Sequence, residues 1–234
     1  MTVCTADRHD LLALIDRDGA KLEAAPAEAI VRWASEHFGG DWCVASSMAD
    51  AVLPHLASRV QPGVDVIFLD TGYHFAETIG MRDAVAAVLP VTVKTISPRL
   101  TVAEQDRQYG ARLHDRDPNL CCAMRKVEPL ERALAPYRAW ATGLRRADSP
   151  DRAAVRVLEW DAKREMVKIN PIASWTDEQV DSYIARNGIL VNPLLSDGYG
   201  SIGCAPCTRR LLPGEDSRAG RWAGTDRTEC GLHS

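Results

Sequence analysis

Apolar positions follow two rhythms along the 234 residues. In the first forty they recur at helical spacing: Leu11, Leu12, Leu14, Ile15 and Leu22 mark one helix, and 27–33, with Pro26 at the first turn, begin another. Short apolar runs then alternate with helical stretches. The pattern predicts a strand over 42–46, a helix over 51–59 and a strand over 64–70 closed by Thr71-Gly72. A helix over about 75–88 and a strand over 91–96 follow. This alternation predicts an α/β fold, a mostly parallel sheet flanked by helices. Small ligands of such sheets sit at the carboxyl ends of the strands, here Ser46-Ser47 and Asp70-Thr71-Gly72.

Further along, a helix is expected over 101–109 and a polar loop over 114–119, with Asn119 capping a helix that carries Cys121 and Cys122 through to Leu134. Residues 139–143 read as a buried strand entering an arginine-loaded turn over 144–150. Residues 155–160 and 167–172 read as a hairpin, and Thr176 caps a helix running to about Arg186. Beyond Asn187-Gly188 the chain becomes irregular. No repeat, low-complexity stretch or linker divides it, so one domain with a tail is expected.

A net charge of -4 argues against a protein that coats nucleic acid. No apolar run of about eighteen residues predicts a membrane span, and the first ten residues lack the apolar core of a secretory signal. A cytoplasmic protein is expected. In that reducing compartment cysteine pairs point to metal or catalysis rather than disulfides. Of the seven cysteines, four come as Cys121-Cys122 and Cys204-Ala-Pro-Cys207. Four thiolates suit zinc or an iron–sulfur cluster. Neighbouring side chains diverge by about 100° on a helix, which strains a single small ion, whereas a cubane offers separate corner irons. The spacing favours the cluster, and a zinc ribbon stays as the alternative. Lys126 follows Cys122 by four residues, on the same face of a continuing helix, and would offset cluster charge; equally, Arg125 and Lys126 could simply solvate that helix. Cys43 reads as a small apolar strand residue and Cys4 as part of a frayed terminus. Cys230 stands in a short polar tail with no core to fill.

Taken together, Cys121-Cys122-Ala-Met-Arg-Lys126, Cys204-Ala-Pro-Cys207 and the terminal Glu229-Cys230-Gly231-Leu232-His233 resemble the assimilatory sulfonucleotide reductases. The resemblance is to their [4Fe-4S]-carrying adenylyl-sulfate (APS) reductases. Leu69-Asp70-Thr71-Gly72-Tyr73-His74-Phe75 and the segment from Thr142 to Pro150 match the same pattern, which covers the chain from about Trp42 onward. The resemblance implies an adenine-nucleotide α-hydrolase-like sheet with a flexible C-terminal tail. It divides the chain into an N-terminal helical segment (1–40), a nucleotide-binding reductase domain with the cluster (41–224) and a mobile catalytic tail (225–234).

It further implies a [4Fe-4S] cluster on Cys121, Cys122, Cys204 and Cys207, and Cys230 as the nucleophile that takes sulfonate from APS and passes sulfite on when thioredoxin attacks. Substrate contacts are implied for Ser46, Ser47, Asp50, Gly72, Lys126, Arg145, Arg146, Arg218, Arg221 and His233. A homo-oligomer is also expected. The loop Ser46-Ser47-Met48-Ala49-Asp50 lacks the Ser-Gly-Gly of ATP pyrophosphatases sharing this sheet, which suits a protein that holds a nucleotide without splitting ATP. The other readings are a reductase of the 3′-phosphorylated substrate PAPS or of both, an ATP pyrophosphatase, and a zinc-ribbon binding module.

Overall fold

A computed structural model describes residues 5–222. Cys230 and His233, and the expected tail over 225–234, lie outside the described residues, as does Cys4. Six strands form one sheet: β1 (Trp42–Ala45), β2 (Val64–Leu69), β3 (Val91–Ile96), β4 (Ala139–Thr142), β5 (Leu158–Asp161) and β6 (Met166–Ile169), in the order β3-β2-β1-β4-β6-β5. The first five in that order pair in parallel, and only β5 runs antiparallel, against β6. The mostly parallel sheet matches the expectation. The hairpin is shorter than the apolar runs suggested, because residues 155–157 and 170–172 leave the ladder.

Alternate strand residues enter different cores, as the two-residue repeat of a strand requires. Trp42, Val44, Val66, Phe68, Ala141 and Ile169 join one cluster with residues of α1 (Thr5–Leu22), α2 (Ala27–Phe38) and α3 (Val52–Val60). Cys43, Ile67, Trp140 and Met166 join the other, with Leu130 and Leu134 of α8 (Glu128–Leu134). A strand covered on both faces needs continuous apolar runs. That is why the strands stand out in the sequence, and why Cys43 is a buried filler.

Helix α4 (Ala76–Val88) packs on β3, and α5 (Val102–Tyr109) starts at a capping box of Thr101 and Glu104. Three expectations are corrected. The polar stretch over 114–119 holds a short helix, α6 (Leu113–Arg116), and the next helix is capped by Asp117 rather than Asn119. Asp117 accepts the Leu120 N–H at 2.9 Å, and Pro118 occupies the first turn, where a missing N–H costs nothing. Nor is the cysteine helix continuous. It runs as α7 (Pro118–Cys122), widens into a π-helix over Ala123–Val127, and resumes as α8. Pro129 has no N–H and crowds the preceding turn, so the backbone widens just before it. Helix α9 (Asp177–Asn187) carries the expected Thr176 cap, and a short α10 (Pro193–Ser196) lies in the stretch read as irregular.

Candidate active site

The carboxyl ends of β1, β2 and β4 open into a cavity of about 590 Å³. Ser46, Ser47, Asp50, Thr71, His74, Lys126, Arg145, Arg218 and Arg221 all stand in its wall. The Ser46–Asp50 loop is held from several sides. Ser46 N–H continues the sheet to Ile67 O at 3.1 Å, and the Ser46 hydroxyl accepts Met48 N–H at 3.2 Å. Met48 takes a left-handed φ of 60°. The buried Asn192 amide donates to Met48 O at 3.1 Å and to Thr78 Oγ1 at 3.2 Å. Asp50 accepts Val52 N–H at 2.9 Å; burial pushes its carboxyl above the ordinary range, against the pull of that N–H and of Arg145.

Across the cavity Arg145 is clamped by two carboxylates, Asp148 and Asp177, each at 2.8 Å, and Asp148 also holds Arg152 at 2.8 Å. Burial works against the Arg145 cation, but the two carboxylates outweigh it. Arg146 is different. It turns away from the cavity, donating to Val155 O at 2.7 Å and pairing with Glu23 of the loop after α1. Among the arginines expected at the substrate, Arg146 is thus the one that does not stand in the cavity wall.

Gly72 also stands back from the cavity wall. Its φ is +72°, and a Cβ there would lie 2.9 Å from Nη2 of Arg125. The sequence suggests no more than a solvating role for Arg125, yet it is 3% exposed, and Lys126 is 9% exposed. Arg125 donates to Thr71 O, to Leu100 O at 3.3 Å and to Gln105 Oε1 at 3.0 Å, with its guanidinium 5.2 Å from the Tyr73 ring centroid. His74 also lines the cavity. Its Nε2 bonds Leu69 O at 2.8 Å, and burial holds its pKa below the usual value.

Cys121, Cys122, Cys204 and Cys207 line one small cleft together with Tyr73, Arg125 and Lys126. The last two residues of α7 supply the first pair. A 3₁₀ turn over Ala205–Cys207, tied by Ala205 N–H to Tyr73 O at 2.7 Å, brings the second. Thr71 Oγ1 lies 3.3 Å from Cys204 Sγ. Burial, reinforced by the neighbouring thiols, pushes the Cys121 thiol up to about 12, and burial raises Cys207 as well. Among the described residues no three His, Cys, Asp or Glu side chains converge as ligands of a single ion. The donor set does suit an anionic iron–sulfur centre. Arg125 is a buried cation whose hydrogen bonds go to neutral acceptors, and such a charge needs an anion nearby. A thiolate-bound cluster beside Cys121 would supply it. Lys126 and Cys204 belong to both the cleft and the cavity, so the two share a wall.

Arg218 and Arg221 are carried by a strap that pairs with the second cysteine segment. Thr208 and Arg221 form an antiparallel bridge, Trp222 N–H bonds Cys207 O at 3.0 Å, and Arg209 N–H bonds Gly220 O at 2.9 Å.

The fold is thus an α/β protein with a ligand-sized cavity at the carboxyl ends of a mostly parallel sheet, lined by five cations and four carboxylates, and with four cysteines in an adjoining cleft. Residues 42–210 match the phosphoadenosine phosphosulfate reductase domain, and the chain belongs to that family. It is 63% identical over 235 residues to the adenosine 5′-phosphosulfate reductase of Streptomyces coelicolor, covering 100% of both chains. It is 57% identical to that of Mycolicibacterium smegmatis, covering 99% of this chain and 98% of the other. The phosphoadenylyl-sulfate (PAPS) reductase of Candida auris, solved as a phosphate complex, superposes with a TM-score of 0.71 at 27% identity, covering 88% of this chain and 98% of that one. The FMN adenylyltransferase of Candida glabrata shares the fold alone, with a TM-score of 0.54 at 12% identity over 86% of this chain and 74% of that one.

Proposed function

We propose that this chain reduces adenylyl sulfate to sulfite and AMP in the cytoplasm, as a step of sulfate assimilation. The observation that carries this reading is the shared wall: Lys126 and Cys204 belong to the cysteine cleft and to the cavity at the strand ends at once. The end-to-end similarity to adenosine 5′-phosphosulfate reductases supports the same substrate.

In this reading the nucleotide lies at the ends of β1, β2 and β4, against the Ser46–Asp50 loop. Arg145, Arg218, Arg221 and Lys126 surround the phosphosulfate, whose charge is neutralised by charge-assisted hydrogen bonds. The Cys230 thiolate attacks the sulfur of APS; an S–S bond forms, the S–O bond to the phosphate breaks, and AMP leaves with the electron pair. The product on the enzyme is S-sulfocysteine. One thiolate of thioredoxin then attacks the Cys230 sulfur and expels sulfite. The second thioredoxin thiol resolves the mixed disulfide and returns Cys230 to the thiol, so the dithiol supplies both electrons. The cationic wall favours the thiolate form of an approaching cysteine, and His233 would help seat the sulfonate.

Cys121, Cys122, Cys204 and Cys207 would hold a [4Fe-4S] cluster. It would contribute a fixed local charge and a clamp on the cavity rim, since the thiols already carry the electrons.

Single-turnover incubation of anaerobically purified protein with APS, read by intact mass, tests the reading. It requires a sulfonate adduct on Cys230 that thioredoxin discharges as sulfite. PAPS in parallel tests for the phosphorylated substrate, and no adduct from either nucleotide on iron-loaded protein would refute the mechanism. Zinc in place of iron and acid-labile sulfide would instead support the binding-module alternative.

A further inference from the structure

The strap that carries Arg221 has a feature the reaction scheme leaves unexplained. Arg221 donates to Ser201 Oγ at 3.2 Å and to Ile202 O at 3.1 Å, and its guanidinium carbon lies 4.5 Å from the Trp222 ring centroid. On another side stands Gly203, next in sequence to Cys204. A Cβ built there would lie 2.4 Å from Nη2, 2.5 Å from Cζ and 2.9 Å from Nε of Arg221. No side chain fits in that gap while Arg221 keeps its place. Gly203 is also outside the set of glycines with positive φ, so the backbone itself imposes no need for glycine. What demands glycine is the guanidinium. Trp222 in turn takes a left-handed φ of 49°, a costly conformation for a bulky residue, beside that same guanidinium.

We propose that Gly203 is a positioning residue for the substrate. The missing side chain opens a slot in which Arg221 is held beside the Trp222 ring, presented to the cavity that both residues line. The inference rests on the reading of Arg221 as an anion-binding group for the phosphosulfate. The three atoms nearest a methyl group at 203 all belong to the far end of a flexible side chain, so it can displace Arg221 without opening the fold. The cysteine cleft keeps its backbone ties through Ala205 and Cys207.

Gly203→Ala, Arg221→Ala and the double variant are prepared as full-length, iron-loaded protein. KM for APS, iron and sulfide per chain, and melting temperature are measured for each. Loss of a positioned charge-assisted contact predicts a rise in KM of about tenfold for Arg221→Ala and somewhat less for Gly203→Ala. Iron content and melting temperature stay at wild-type values in Gly203→Ala. Because both changes act through one guanidinium, adding Gly203→Ala to Arg221→Ala changes KM less than about twofold. The proposal is overturned if Gly203→Ala leaves KM unchanged, if it exerts its full effect in the Arg221→Ala background, or if it depletes iron. A KM raised by Arg221→Ala but not by Gly203→Ala sinks the slot and leaves APS reduction standing. An Arg221→Ala enzyme with wild-type KM removes Arg221 from the substrate site and the slot with it. Sulfite release by the wild-type protein reports on APS reduction independently of all three variants.

Discussion

Asn192 offers a direct test of how the nucleotide loop is held. It is fully buried, and its side chain makes three hydrogen bonds: Nδ2 to Met48 O at 3.1 Å, Nδ2 to Thr78 Oγ1 at 3.2 Å, and Oδ1 from Leu194 N–H at 3.1 Å. Its own N–H bonds Ala49 O at 3.0 Å and survives any substitution but proline. Replacing Asn192 with alanine removes the three side-chain bonds. At about 1 kcal/mol each, the loss is about 3 kcal/mol, more where the abandoned groups stay dry. In a chain of this size that corresponds to a melting temperature lower by about 6–12 °C. Met48 keeps a left-handed backbone only because its surroundings impose it. Release of its carbonyl should loosen Ser46 and Ser47 and raise KM for APS severalfold. Asn192→Asp separates bonding from volume. It keeps the acceptor for Leu194 but turns a carboxylate oxygen toward Met48 O, and should be at least as damaging as alanine. Thermal denaturation and steady-state kinetics on all three proteins decide the matter. An alanine variant within about 0.5 kcal/mol of wild type with unchanged KM, or a well-tolerated aspartate, refutes the argument.

Three further outcomes are expected. Asp50 binds its proton more tightly folded than unfolded, because burial raises its pKa; its favourable contribution is full below the ordinary carboxylate range and is lost as pH rises through the folded value. Asp50→Asn keeps an acceptor for Val52 N–H, so its melting temperature should exceed that of wild type at pH 8, with the gain vanishing near pH 4. Lys126→Ala should lower APS turnover at normal iron content, and unchanged turnover would remove Lys126 from the mechanism. A Cβ at Gly220 would lie 2.3 Å from the backbone oxygen of Arg209, which cannot swing aside. Gly220→Ala should therefore lower iron per chain and raise KM for APS together, whereas Gly203→Ala should move KM alone.

The fold was readable because burial on both faces leaves the central strands as unbroken apolar runs, and β4, buried throughout over Ala139–Thr142, falls within the predicted 139–143. The strand order was not readable, since it depends on which strand pairs with β1 at a distance. The cap of the cysteine helix carried a local signal, Asp117 followed by Pro118 at the first turn, that Asn119 obscured. Arg145 and Arg146 show the limit at the site. They are neighbours of the same chemistry, yet one faces the cavity and the other reaches back to Glu23. Only the approach of the loop after α1, far away in sequence, decides between them. Arg125 and Lys126 pose the same problem in reverse, because a pair of cations on a helix does not reveal which face is dry. Asn192 gave no signal, as its partners come from residues 48 and 78.

Trp222, the last described residue, stands in the cavity wall, and Cys230 follows it by eight residues. Eight residues reach at most about 29 Å even when fully extended. A thiol confined to a half-sphere of that radius has an effective concentration of about 30 mM. A competing small thiol, or a peptide copy of the last residues added in trans, would have to approach that concentration before it displaced the tethered cysteine. The anchoring of the strap to the second cysteine segment thus sets where the arginines stand and, in the proposed reaction, how short the tether to Cys230 is.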